Sequence, residues 1–184
     1  MYSMGFDGRL DREVKSILMV MEAMARVDSS KFVYDVVGHN GETEALPLVD
    51  ASAPPENAGK RWKVMRDMIS STQFTMSGDH TIESIEASCK ELPKAEADKE
   101  WDDIIVLALS DANLGRYGIT PQRLERALGR NREKVKAAII FIGGEQEAAR
   151  MAKSLPGKAF NCQDLKSLPM MMSEILVNMV GRDS

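Results

Sequence analysis

Ile104-Ile105-Val106-Leu107-Ala108-Leu109 is an unbroken apolar run that stops abruptly at Ser110-Asp111-Ala112-Asn113. A strand with no polar alternation has no face to give to water, so it belongs inside a sheet covered on both sides. The junction also sets a carboxylate at the strand's carboxyl end. In an open α/β sheet that edge is where ligands and ions bind, because the loops diverge there and leave a crevice. A second run, Ala137–Ile142, ends in Gly143-Gly144 and repeats the strand-then-turn pattern.

Helical periodicity fills the intervals. Leu10, Val14, Ile17, Leu18, Met21 and Ala25 recur on one face from Leu10 to about Arg26. Trp62, Met65, Met68 and Ile69 do so between Asn57 and Ser71, and Ile82, Ile85, Ala87 and Cys89 between Thr81 and Leu92, where Pro93 is expected to end the helix. Pro121 to Leu128 forms a helix with proline in its first turn. Further helices run from Gly144 to Ser154 and from Leu165 to Val180. Lys31–Gly38 reads as a strand leading into a Gly-His-Asn-Gly turn, and Lys158–Phe160 as a last short strand. Glu44–Val49 reads as an edge strand, since Pro47 cannot donate to a ladder. The alternation predicts an α/β fold: three layers, α/β/α, around a doubly wound, mostly parallel sheet with one short antiparallel edge strand. The 184 residues suit a single domain over 1–184.

The net charge of −4 supplies no basic field for nucleic acid or an anionic membrane. No apolar stretch approaches the ~18 residues of a membrane helix, and no targeting segment is recognisable at the amino end. Cys89 and Cys162 are far apart and read as reduced, intracellular thiols. The thirteen methionines are assigned to cores and helix contacts. Gly143-Gly144-Glu145 follows a strand, but the chain has neither a Gly-x-x-x-x-Gly-Lys-Ser/Thr nor a Gly-x-Gly-x-x-Gly motif, so no nucleotide site is expected.

The segments Phe6–Leu10, Tyr34–His39, Phe74–Thr81, Leu109–Leu114, Arg116–Ile119 and Phe141–Gly143 together resemble a von Willebrand factor A (vWA) domain, of the kind at the carboxyl end of larger AAA ATPase-type proteins. The resemblance implies a protein-interaction domain rather than an enzyme. It also implies a metal ion-dependent adhesion site, in which Thr81 and Asp111 match the threonine before a later helix and the aspartate after the fourth strand. Hydroxyl and carboxylate oxygens suit Mg²⁺ or Mn²⁺, and an acidic residue of a partner would complete the ion's shell. A mitochondrial location is implied by the resemblance alone.

The chain departs from that pattern in one respect. The family's Asp-x-Ser-x-Ser loop does not occur, so the first central strand and its loop are expected to be missing and metal binding weak or lost. Asp50-Ala51-Ser52-Ala53-Pro54 imitates half of the loop with proline in the wrong place. Without its central strand the chain should be less stable or should recruit a strand from elsewhere. Two other classes compete with this reading. One is a metal-independent assembly module, and the other a hydrolase built on Asp79, His80 and Asp111, for which the sequence offers no nucleophile. The simpler roles are a helix cap for Thr81 and structural contacts for Asp79, His80 and His39.

Overall fold

A computed structural model describes residues 8–28, 30–73, 79–95, 101–110, 117–143 and 146–180. The chain divides between His80 and Thr81 into two compact units.

The first unit contains α1 (Arg9–Met24), β1 (Val36–Gly38), β2 (Leu46–Val49) and α2 (Ala58–Gln73). The two strands pair antiparallel, with an irregularity between Val36 and Val37. Val14 and Met21 of α1 pack with Val64 and Met68 of α2 and with Val36 and Val49 from the strands. Asn57 starts α2, its side-chain oxygen accepting from the Lys60 N–H at 3.0 Å. Arg61 braces the helix pair: its Nε lies 2.7 Å from Glu22 on α1, and its Nη1 donates to the Pro55 carbonyl at 3.0 Å. The strand expected over Lys31–Gly38 is shorter than its apolar pattern suggests. Asp35 carboxylate oxygen accepts the Ala51 N–H at 2.6 Å, so a side chain takes a donor that a longer ladder would have used.

The second unit contains α3 (Thr81–Ala95), β3 (Ile105–Ser110), α4 (Pro121–Leu128), β4 (Lys136–Ile142), α5 (Gln146–Ser154), β5 (Ala159–Cys162), a 3₁₀ turn (Leu165–Ser167) and α6 (Leu168–Val180). Its three strands pair in parallel in the order β3-β4-β5, with Ile105 opposite Lys136 and Ile139 opposite Ala159. The centre is β4, where strand alternation divides the core in two. Ala137, Ile139 and Phe141 point into a cluster with α3, α4 and α5, while Ala138, Ile140 and Ile142 meet Leu168 and Ile175 of α6. Helix, sheet and helix layers follow directly, as the sequence predicts.

The parallel strands and the short antiparallel strand are those the sequence predicts. Among the described residues, the antiparallel pair lies in the first unit and the parallel trio in the second, each as its own sheet. Among the described residues β3 pairs with β4 alone, and Ile105–Leu109 are half-buried despite an all-apolar sequence.

The end of α3 also departs from expectation. Proline was expected to stop this helix, yet α3 continues through Pro93 to Ala95. A proline in a helix removes one N–H, the donor to the carbonyl four residues earlier. That carbonyl belongs to Cys89, and the Asn131 side-chain amide donates to it at 3.2 Å. Asn131 has φ 56°, a left-handed conformation that asparagine tolerates better than most residues. The chain loses one helical bond and replaces it from a distant turn.

Candidate functional site

Two contacts orient the second unit. Arg123 near the start of α4 reaches Glu83 in the first turn of α3 at 2.9 Å, and Asn131, just beyond α4, reaches Cys89 in the second half of α3. The two helices therefore run side by side in the same direction. β3 leads through the following loop into the start of α4, and the end of α4 leads into the start of β4. Hence the amino ends of α3 and α4 lie at the carboxyl edge of the sheet. Thr81, first residue of α3, and Ser110, last of β3, share the edge at which parallel sheets bind ligands.

Thr81 is buried, with 1% of its surface exposed. It is the first helical residue of α3. Asp111 lies outside the described residues. Among the described residues, no three His, Cys, Asp or Glu side chains come together as a metal-holding group. The described hydroxyls at this edge are those of Thr81 and Ser110, whereas Mg²⁺ takes about six oxygens. These residues do not by themselves make a site.

Near the boundary of the first unit, His80 Nδ1 lies 2.7 Å from the Asn40 carbonyl. A carbonyl only accepts, so this contact requires the proton on Nδ1. Asn40 in turn closes its own loop, its Oδ1 accepting from the N–H groups of Glu42 and Thr43 at 2.8 and 3.0 Å. His80 is accordingly an anchor for the Gly38–Gly41 turn. Asp79 and His39 are half-buried and engaged in contacts of their own.

The look-alike at Asp50 is an Asx turn. Its carboxylate accepts from the Ser52 N–H at 2.8 Å and from the Ser52 hydroxyl at 2.6 Å. Those bonds, the hydroxyl's first, hold the Asp50 pKa below the usual carboxylate value. The glycine turn after β4 is likewise occupied: the Gly143 N–H donates to the Cys162 carbonyl at 3.1 Å, and Gly143 has φ 137°, which an L side chain rarely adopts. That amide is not available to cradle a phosphate.

Sequence reasoning overlooked two organising residues, Asn131 and Lys136. Asn131 was signalled by Pro93 itself, because a proline within a helical pattern orphans a carbonyl that needs a donor. Lys136 was hidden in the strand pattern; its ammonium lies 2.7 Å from Asp103 and donates to the Met179 carbonyl at the end of α6 at 2.8 Å.

Against this geometry, one similarity is informative. The chain resembles a segment of von Willebrand factor A domain-containing protein 8. With the mouse (Mus musculus) protein it shares 40% identity over 177 residues, 95% of this chain. The chain spans about 9% of that relative's length. No family model matches the chain. The identity, together with helices on both faces of a parallel sheet, supports a vWA-like domain. No helix among the described residues is long and apolar enough to cross a membrane.

Proposed function

We propose that this chain is a non-enzymatic, vWA-type protein-interaction domain of a larger AAA ATPase-type protein. The observation that carries the reading is the 40% identity, over nearly the whole chain, to a protein named for its vWA domain. Thr81 and the end of β3 sit at one edge of the sheet, which supports that edge as the recognition surface. Thr81 and Asp111 would hold Mg²⁺ or Mn²⁺ there only with further oxygen donors, such as a serine loop supplied from outside this chain. Such an ion, when bound, would accept a partner's carboxylate as a ligand. The buried, unpaired thiols of Cys89 and Cys162 fit a reducing intracellular compartment.

The second reading is a metal-independent assembly module, favoured by the unpaired apolar edge of β3 among the described residues. Calorimetric titration with Mg²⁺ and Mn²⁺ separates the two. The experiment compares this chain with a version extended upstream, each with and without Asp111→Ala. Heat that appears in the extended form and vanishes with the substitution supports the cation site. Absence of heat in both forms refutes it and leaves the assembly module.

A further inference from the structure

The amino edge of the sheet, opposite Thr81, carries an open cleft of about 630 Å³ lined by Lys90, Pro93, Lys94, Arg130, Asn131 and Lys134. Four of these six residues are cationic and none is acidic, in a chain whose net charge is −4. Pro93 and Asn131 are the uncharged residues of its lining. Because Asn131 is tied to the Cys89 carbonyl, the turn bearing Arg130 and Lys134 is fixed against the helix bearing Lys90 and Lys94. Cations from two elements are thereby held around one space.

The local charge balance decides what the cleft prefers. Lys90 and Lys94 share one carboxylate, Glu91, at 3.3 and 3.1 Å. Among the described residues, no carboxylate pairs with Arg130 or Lys134. The ends of α3 and α4 each contribute roughly half a negative charge. Among the described residues, with Arg132 and Glu133 of the same turn offsetting each other, the four lining cations opposed by Glu91 and two helix ends leave a residual of about plus two. A lone helix-end cation would satisfy its dipole and stop there; this group exceeds that need. Glu96, Asp98 and Glu100 follow in sequence and lie outside the described residues.

We propose that this cleft binds a phosphomonoester dianion. The Arg130 guanidinium offers a planar fork of N–H donors suited to phosphoryl oxygens, and the three lysines act as surrounding point charges. A dianion matches the residual charge, whereas a single carboxylate would leave half of it uncompensated. None of the residues involved belongs to the cation reading, so either can fail alone.

The test is an amide NMR titration of the whole chain with inorganic phosphate, at constant ionic strength set by chloride. Parallel arms use adenosine monophosphate and a neutral phosphoserine peptide beside its unphosphorylated form. Saturable shifts confined to Lys90, Lys94 and Arg130–Lys134 are expected. Tighter binding of the nucleotide would identify a small phosphorylated ligand as the source, and tighter binding of the phosphopeptide a modified protein. Arg130→Ala should weaken binding roughly tenfold or more through loss of charge-assisted hydrogen bonds. Arg132→Ala, on the same turn but outside the lining, should leave it unchanged. Shifts that do not saturate, equal responses to chloride, or equal losses in the two variants would overturn the proposal.

Discussion

Replacing Asn131 with alanine tests how a proline-containing helix keeps its carbonyl satisfied. The substitution removes the amide that donates to Cys89 O at 3.2 Å, and Pro93 has no N–H to take its place. Leaving such an acceptor unpaired costs about 1–3 kcal/mol. Alanine must also adopt φ near 56°, which adds roughly 1–2 kcal/mol that glycine would not incur. Asn131→Ala should therefore destabilise the second unit by about 2–5 kcal/mol, and Asn131→Gly by less. In a Pro93→Ala background the helix regains its own donor to Cys89 O, so the Asn131 bond becomes redundant. The double-mutant cycle should then show a coupling of about 1–3 kcal/mol. Urea unfolding followed through Trp101, which lies in the second unit, reads these losses; the other tryptophan, Trp62, is 62% exposed and is replaced by phenylalanine in all variants. An equal cost of Asn131→Ala in both backgrounds would refute the account of the helix end.

Two other perturbations test the core and its pH response. Phe141 is fully buried on the central strand, so Phe141→Ala should cost about 3–5 kcal/mol in urea unfolding; a loss below ~1 kcal/mol would mean that β4 is not the packed centre. The Cys89 thiol is pushed up to about 11, chiefly by burial and secondarily by the Glu86 charge. A thiol in the unfolded chain ionises near its ordinary value of about 8.5. The folded state therefore holds the proton longer, and the stability from this group is full below about pH 8.5 and is lost as the pH rises through about 11. Cys89→Ala should flatten that alkaline decline, and the wild-type thiol should react slowly with a maleimide at pH 8 compared with the denatured protein. An unchanged pH slope would remove Cys89 as its cause.

The layer plan was legible in the sequence because it depends on local pattern. Ile104–Leu109 and Ala137–Ile142 are apolar on both faces, and only a position between helix layers satisfies that composition. Helix starts were equally readable: Pro121 presets φ, and the Thr120 hydroxyl accepts the Arg123 N–H at 3.3 Å, as an N-cap should. Thr81 was also placed correctly at a helix start, although as its first residue.

What only the tertiary structure decided depends on partners distant in sequence. Pro93 carries a local instruction to stop, and it is overridden because Asn131, 42 positions beyond Cys89, supplies the donor that the Cys89 carbonyl lacks. Asp35 shortens a strand whose apolar pattern is longer, by capturing the amide of Ala51. Lys90, Lys94, Arg130 and Lys134 look like scattered surface charge in the sequence, and they become one cleft only when α3 and the turn after α4 are joined. Periodicity reports which face of a segment avoids water. It carries no information about which distant hydrogen-bonding group or charge that segment will meet, and those meetings set the helix end and the basic cleft.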